Sequence, residues 1–318
     1  TAVYPRRGAV PGFTPTLAQW EDVTEETELD ATAEAERARR REAGKQRFLN
    51  WAKDGSPDGE GWKTSGFTLQ CDIDLSDKDF EPIAFGEYFN HTFDGGGYTI
   101  SGLNINKPGA DIIGLFGDIG DTGSVRNLTV AGNITGNNGT GGIAGINRGT
   151  ISGCTFRGKV TRTNDYAGGI AGFNRGLMAG CRVTESIITG TYRAGGIAGS
   201  SELATGIIAC LADGVTLEAT FAGYVSLGGI TDSNQAPLVA CVAAPISMTS
   251  AAGSDTNAGG IAGINYYTAT ACYWQTGSGY HTAIGRDDNS IPQEAGCTPF
   301  APGAFPAGAV DALNAAID

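Results

Sequence analysis

Residues 140–160 read TGGIAGINRGTISGCTFRGKV, and the pattern of this segment returns along most of the chain. An earlier relative, IGLFG, occupies residues 113–117. The pentapeptide GGIAG recurs, with GGITD as a degenerate fourth copy, and its second glycine, which we call the repeat glycine, is Gly142, Gly169, Gly196, Gly229 and Gly260, with Gly114 as the equivalent in IGLFG. From IGLFG onward, the repeat glycines are separated by 28, 27, 27, 33 and 31 residues. Such self-similarity is typical of a protein built from stacked repeat units.

Two further ladders run in phase with the glycines. Cysteine follows the repeat glycine by 12 residues in four copies and by 14 in one, at Cys154, Cys181, Cys210, Cys241 and Cys272. A polar residue lies five positions after the repeat glycine, at Asn147, Asn174, Ser201, Asn234 and Asn265. Further upstream, residues 67–75 and 99–105 resemble additional repeat units, each of which would form one rung of the stack. We therefore count about eight rungs between residues 67 and 274.

The repeats predict an all-β protein, a parallel β-helix of about eight coils. A unit of about 30 residues cannot bury its own apolar face, so neighbouring units must stack. In-register stacking places equivalent residues about 4.8 Å apart. We expect the cysteines inside, the asparagines bonded to the next coil, and the paired glycines at tight corners with φ > 0. A leucine-rich repeat lacks support because the leucine spacing is absent, and a propeller blade needs about 40 residues.

The ends of the chain differ from the repeats, as capping units do. We predict an irregular segment over 1–24, a capping helix with its lead-in over 25–66, the repeats over 67–274, and an irregular C-terminal cap over 275–318. The helix should run from about Asp30 to Lys53 and dock on the open end of the solenoid. Cys297 should lie in the C-terminal cap, which a short helix from Val310 to Ala316 should close.

Composition excludes several classes of protein. The 318 residues carry a net charge of −13, and 41% are hydrophobic. An acidic chain is a poor general binder of nucleic acid, because phosphate contacts need clustered Lys and Arg. The hydrophobic content argues against disorder. There is no apolar run of about 18 residues that would predict a membrane-spanning helix.

Several segments resemble the GLUG-motif family. They are the GGIAG repeats, residues 71–75, 93–100, 115–117 and 272–274, and residues 310–314. The resemblance implies an exported, adhesin-like bacterial surface protein of the Bacteroidales type, extracellular or on the outer membrane, with a lipid anchor at a missing N-terminus as one mode of attachment. Related repeats accompany the protease domain of IgA-cleaving metallopeptidases. The degenerate copy at 228–232 departs from the pattern and predicts a bulge.

The sequence offers little for catalysis. His91 and His281 are the two histidines, and neither lies in a zinc-protease motif. Asp72 and Asp74 share one face of a predicted strand, where carboxylates serve as acid and base or bind Ca²⁺. An alternating strand with an outward polar face accounts for the same pair. We expect no enzyme activity, no catalytic residue, no cofactor and no metal.

Aromatic residues concentrate near the end of the repeats. Exposed aromatics stack on sugar rings or contact partner proteins. Alternatively, these residues cover the last coil as part of the cap. The candidate ligand contacts are Tyr266, Tyr267, Tyr273, Trp274 and Tyr280.

Three functions remain open at this point. The first is a monomeric, non-enzymatic surface protein that binds an unidentified glycan or protein of the host or matrix, without nucleic acid. The second is a carbohydrate-active β-helix, either a polysaccharide lyase or a hydrolase. The third is a structural spacer in a surface assembly. The sequence names no ligand.

Overall fold

The computed structural model describes residues 31–53, 61–76, 78–202, 205–244, 246–251, 256–276, 282–287, 297–306, 308–309 and 311. It divides into two compact units, residues 1–40 and 41–318. The predicted irregular segment 1–24 lies outside the described residues, as does most of the predicted short helix at 310–316.

Helix α1 spans Ala31–Ala52, close to the predicted bounds. Its last two turns belong to the second unit and carry Phe48 and Trp51, both buried. The two rings pack on the interior aromatics of the first coils, with centroid distances of 5.9 Å from Phe48 to Phe67 and 5.5 Å from Trp51 to Phe93. Burying a side chain of this size stabilises a fold by roughly 1.5–3 kcal/mol. The end of α1 therefore covers the start of the solenoid, as the sequence predicts.

The strands form four parallel sheets. Sheet A contains β1 (Phe67–Thr68), β4 (Thr92–Asp94), β7 (Ser124–Arg126), β11 (Thr150–Ser152), β15 (Leu177–Ala179), β20 (Gly206–Ile208), β25 (Leu238–Val239) and β30 (Ala269–Thr270). Sheet C contains β3 (Ile83–Phe89), β6 (Phe116–Ile119), β10 (Ala144–Asn147), β14 (Ala171–Asn174), β19 (Ala198–Glu202), β24 (Thr231–Gln235), β29 (Ala262–Asn265) and β32 (Ile284–Asp287).

The remaining strands line the other two sides. Sheet B contains β2 (Ile73–Asp74), β5 (Thr99–Asn106), β8 (Thr129–Gly136), β12 (Thr155–Arg162), β16 (Arg182–Thr184), β17 (Ile187–Gly190), β21 (Leu211–Asp213), β22 (Val215–Ala219), β26 (Val242–Ala243), β27 (Ile246–Ser250), β31 (Tyr273–Gln275) and β33 (Thr298–Phe300). Sheet D contains β9 (Thr140–Gly141), β13 (Tyr166–Gly168), β18 (Arg193–Gly195), β23 (Val225–Gly228) and β28 (Thr256–Gly259).

One coil runs from β11 through β12 and β13 to β14, after which β15 returns to sheet A. Sheets A and C are each eight strands deep, so the stack makes about seven full turns. The predicted parallel β-helix is confirmed. The degenerate copy at 228–232 keeps its register, because Gly228 pairs with both Gly195 and Gly259. The predicted bulge at this copy is therefore wrong.

The cysteine ladder is part of the core. All five ladder cysteines are fully buried, in the row that begins with Leu128. Each thiol lies near backbone carbonyls; for example, Cys241 Sγ is 3.3 Å from the oxygen of Ile207 in the coil below. Burial raises the pKa of the Cys154 and Cys210 thiols, as expected for inert core residues.

The GGIAG pentapeptide marks the corner between sheets D and C. A Cβ on its first glycine, Gly168, would lie 2.0 Å from the oxygen of Ala171. On the second, Gly169, it would lie 2.4 Å from the oxygen of Gly196 in the next coil. Neither glycine has the positive φ that the sequence led us to expect. Close approach of backbones, rather than backbone conformation, therefore requires glycine here.

Positive φ occurs instead at the corner between sheets A and B. One residue per coil adopts the left-handed conformation there, just before the cysteine row. These residues are Asn127, Gly153, Gly180, Ala209, Ala240 and Ala271, with φ between 52° and 61°. The alanines are strained at this corner, because a Cβ disfavours the left-handed region.

The stack continues past residue 274, where the sequence predicts an irregular cap. Strand β32 pairs in parallel with β29, and β33 pairs with β31. Cys297 precedes β33 as Cys272 precedes β31, and its Sγ lies 3.4 Å from the oxygen of Ala269. It therefore extends the cysteine ladder by one member.

Candidate functional site: the outer row beside sheet C

The buried asparagine ladder closes the end of sheet C. Asn147 donates from Nδ2 to Oδ1 of Asn174 at 2.8 Å, and Asn234 donates in the same way to Asn265 at 2.7 Å. Asn147 also donates to the backbone oxygen of Leu177 at 3.2 Å. These amides cross-link neighbouring coils, as the sequence predicts, and fix the backbone of the turn that follows.

The residue immediately after each ladder position forms an axial row, which we call the outer row. Among the residues that the structure describes, its members are Asn90, Gly120, Arg148, Arg175, Glu202, Gln235 and Tyr266. Backbone hydrogen bonds hold the members in parallel register; the Arg148 amide, for example, donates to the oxygen of Ile119 at 2.8 Å. Six steps separate the first and last members, a span of about 29 Å. The row thus presents one position per coil along one edge of the solenoid.

Ion pairs connect members of the outer row to the sheet and to each other. The Arg148 guanidinium donates from Nε to both carboxylate oxygens of Asp118, at 3.1 and 3.2 Å, and from Nη2 to Oδ2 at 3.1 Å. Arg175 pairs with Glu202 of the next coil at 3.0 Å. Partial burial raises the pKa of Asp118 in spite of the guanidinium beside it. A bidentate pair of this kind holds the arginine in one geometry.

Aromatic rings flank the arginines. Arg148 lies 5.5 Å from the ring centroid of Tyr88, and Arg175 lies 5.7 Å from that of Phe173. Phe173 packs against Tyr166 at 4.8 Å. Arginines beside aromatic faces are common in surfaces that bind sugars or proteins, since the rings supply apolar contact and the guanidinium supplies directed donors.

The predicted aromatic contacts divide into three groups. Tyr266 and Tyr267 are exposed by 40% and 47%, and Tyr266 ends the outer row. Tyr273 is half-buried, and Trp274 is buried against Gly260 in the interior row of Phe156. Trp274 therefore offers no surface to a ligand, which corrects its place among the candidates.

Tyr280 lies outside the described residues. Tyr88, Arg148 and Arg175 were missed by the sequence reasoning. The signal for the arginines was available, since each directly follows a ladder asparagine.

The carboxylates considered for catalysis accept hydrogen bonds from backbone amides of strands and turns. Asp72 accepts from the amide of Thr99 at 2.8 Å, and Asp74 accepts from the amide of Ser76 at 3.0 Å. His91 has its Nε2 3.1 Å from the oxygen of Lys63. In the part of the chain that the structure describes, no three His, Cys, Asp or Glu side chains lie close enough to hold a metal ion.

Comparisons with known proteins match parts of the chain to small parts of two longer proteins. No family model matches it. Over 116 residues, 32% of the chain, it is 37% identical to Halomucin of Haloquadratum walsbyi, of which this covers 1%. Over 104 residues it is 38% identical to a provisionally named Gly-rich membrane protein of Evansella cellulosilytica, of which this covers 12%. The chain thus spans a small part of the curated relatives it matches.

One solved structure shares the fold. It is a protein of Bacteroides ovatus provisionally described as an immunoglobulin A1 protease, with a TM-score of 0.56 and 17% identity over 75% of this chain and 78% of that one. At this identity the likeness shows the fold alone. Among the described residues, no helix is long and apolar enough to cross a membrane.

Proposed function

We propose that this chain is the binding region of a bacterial cell-surface protein, and that it holds an extended glycan or protein of the host or matrix without cleaving it. The observation that carries the proposal is the outer row, which presents arginine, glutamate, glutamine and tyrosine at one position per coil. A ligand with its own linear repeat can lie along such a row and contact several coils at once. Weak contacts then add up through multivalency.

Two further observations support a surface location. The matched relatives include Halomucin and a protein named for a membrane, and the sequence resembles the GLUG-motif family of surface proteins. The carboxylates Asp72 and Asp74 serve as acceptors for backbone amides, which favours binding over carboxylate catalysis. The proposed ligand is neither nucleic acid nor a polyanion, since the chain carries a net charge of −13.

The test is binding of the purified chain to arrays of glycans and matrix proteins, with product analysis on every hit. The variant pair Arg175→Ala and Tyr266→Ala, made together, should weaken binding at least tenfold, because it removes two exposed members of the outer row. The matched control is Arg157→Ala on sheet B, which removes an exposed arginine from another side. Unchanged melting curves would show that both proteins are folded.

Two outcomes would favour the alternatives. Release of new reducing ends or unsaturated sugars from a bound glycan would identify a carbohydrate-active enzyme. Absence of binding on every array would favour a structural spacer in a surface assembly. Equal loss in the sheet B control would show that the outer row is not the binding surface.

A further inference from the structure

Gly120 leaves a gap in the outer row. The neighbouring members on either side are Asn90 and Arg148, which lie two coils apart, or about 10 Å. Gly120 is buried between them and has a φ outside the left-handed region, so the backbone there does not itself require glycine. A Cβ would lie 2.1 Å from Asn90 Oδ1 and 3.1 Å from Tyr88 Cβ. The side chains of Asn90 and Tyr88 therefore already pack against the Gly120 backbone, which forms part of the wall of a depression.

This depression is an open pocket of about 600 Å³, which we call the Gly120 pocket. It is lined by Tyr88, Asn90, Gly120, Asp121, Thr122 and Arg148. Its size lies within the range of small-molecule sites. The pocket is bounded by one aromatic ring and several hydrogen-bonding side chains, an arrangement suited to a ligand with both an apolar face and hydroxyl groups.

Tyr88 supplies the apolar surface. Its side chain is 57% exposed, the largest exposed fraction among the large hydrophobic residues that the structure describes. Strand β3 positions it opposite Asp118 of the next coil. An exposed tyrosine at the rim of a pocket stacks on the C–H face of a sugar ring while its hydroxyl remains in water. The ring is therefore the natural platform for a pyranose.

The polar walls favour an uncharged ligand. Arg148 is already neutralised by its bidentate contact with Asp118. Asp121 adds a second carboxylate, so one arginine faces two acids and the local formal charge is −1. A uronate or another acidic sugar would meet repulsion in addition to losing its hydration. The side chains of Asn90, Asp121 and Thr122 instead offer donors and acceptors to neutral hydroxyl groups.

We infer that the Gly120 pocket binds one neutral pyranose ring, as the end subsite of the glycan-binding surface along the outer row. This inference rests on the proposed function, because it names the ligand class at one end of the same surface. The ring of Tyr88 packs on the sugar, the arginine–carboxylate pair and the amide of Asn90 bind its hydroxyls, and the Gly120 backbone forms part of the pocket wall.

The first variant places a side chain in the pocket. Gly120→Gln must displace the Asn90 amide, whose Oδ1 would lie 2.1 Å from the new Cβ, so its melting curve is compared with that of the unmodified protein, and Tyr88→Ala tests the pocket independently. Tyr88→Ala removes the platform without filling the pocket. The matched control is Arg157→Ala on sheet B, which lies outside both the outer row and the pocket.

The probes are the methyl pyranosides of glucose, galactose, mannose and N-acetylglucosamine, with methyl galacturonide as the charged comparison. Titration by NMR should show binding of at least one neutral pyranoside, at least tenfold tighter than the galacturonide. Gly120→Gln and Tyr88→Ala should each weaken it at least tenfold, and Arg157→Ala should leave it within twofold.

Absence of binding to every neutral pyranoside would overturn the inference, as would tighter binding of the galacturonide or unchanged binding in Gly120→Gln and Tyr88→Ala. The outer row is tested separately by the Arg175 and Tyr266 variant on the arrays. If that variant loses binding and the pocket variants do not, the pocket inference fails while the proposed function stands.

Discussion

Nε of Arg193 lies 3.9 Å from Oδ2 of Asp232, and the carboxylate is completely buried. Asp232 occupies the fifth position of the degenerate pentapeptide, where the adjoining coils have Gly199 and Gly263. Within the described part of the chain, neither of its oxygens has a hydrogen-bond partner of good geometry, and the same holds for the guanidinium nitrogens of Arg162, which is 3% exposed. The neighbouring side chains therefore only partly offset the cost of burying the charges of Asp232 and Arg162.

The first prediction follows from the titration of Asp232. Burial raises the pKa of this carboxyl to about 7, and the negative charge of Asp165 also raises it. The Ser226 hydroxyl and the guanidinium groups of Arg193 and Arg162 act in the opposite direction and lower the pKa. The folded state therefore binds a proton that the unfolded state releases near pH 4. Stability should fall as pH rises from about 4 to about 7, by an amount on the order of a few kcal/mol, and stay level above that.

The check is the unfolding free energy between pH 4 and pH 8 in the protein and in Asp232→Asn. The variant should lose most of this fall. Burial lowers the pKa of Arg162 to about 9, so this arginine titrates above the pH range of the measurement. Asp79→Asn, a change at the surface, should leave the pH profile unaltered. A profile that is the same in Asp232→Asn as in the unmodified protein would show that the carboxylate is compensated.

The second prediction concerns the glycines that let coils approach. Gly169→Ala places a methyl 2.4 Å from a backbone oxygen and 2.6 Å from Val183 Cγ2. Since neighbouring coils hold both groups, the coils must separate, and the unfolding free energy should fall by at least about 2–3 kcal/mol. Gly109→Ala is the control, because its Cβ would meet nothing within 4 Å. Equal urea midpoints for the two variants would contradict this account of the corner.

The third prediction concerns the left-handed row at the corner between sheets A and B. Ala271 has φ of 52° and is half-exposed, so Ala271→Gly removes strain with little loss of packing. The unfolding free energy should rise by up to about 1 kcal/mol, because the relief of strain exceeds the entropy cost of glycine. Gly153→Ala makes the reverse change in the same row and should destabilise. Destabilisation by Ala271→Gly would show that the corner is not strained.

The fold could be predicted from the sequence periodicity because equivalent positions of successive coils mostly carry the same residue type. The cysteine and asparagine ladders reveal which positions stack, and stacking in turn predicts parallel pairing. Trp274 follows Cys272 by two residues, as Phe156 follows Cys154. The sequence therefore also contained the information that Trp274 lies in the interior. Its size and its late position in the chain made it resemble a surface aromatic instead.

Other features were hidden from the sequence. The paired glycines suggest positive φ because that is the commonest reason for glycine, whereas the contact that requires them is made with a different coil. Apart from Arg148, the residues of the Gly120 pocket belong to the coils before the first GGIAG, where no ladder asparagine marks the row. Tyr88 and Asp118 come together only through a register shift between β3 and β6.

The fourth prediction tests the interior of the solenoid. Cys181→Asp places a carboxylate at a fully buried position between stacked coils, where the loss of its hydration penalises the charge. The protein should unfold or melt far below its normal temperature. Cys71→Asp is the matched control, because Cys71 is half-buried near the oxygen of Arg41 and its substitution should cost much less. A shift of less than about 2 °C for Cys181→Asp would show that the position is not interior.

The last prediction is that the ladder thiols stay reduced even in an exported protein. Equivalent residues of neighbouring coils lie about 4.8 Å apart with parallel side chains, so their Cβ separation exceeds the usual ~3.5–4.5 Å of a disulfide. Each of the five buried ladder thiols lies near a backbone carbonyl of the turn that precedes it; Cys154 Sγ, for example, is 3.4 Å from the oxygen of Ser152. Closing a bond would pull two coils together against every backbone hydrogen bond between them.

Thiol titration measures this directly. In the native protein we expect the half-buried Cys71 and Cys297 to react first and the five buried cysteines to react slowly, because burial excludes the reagent. Unfolding without reductant should then expose at least five reactive thiols. Two or fewer would mean that the coils are cross-linked. In that case the ladder would hold the coils together covalently, and adding reductant should lower the melting temperature, whereas reduced thiols predict no change.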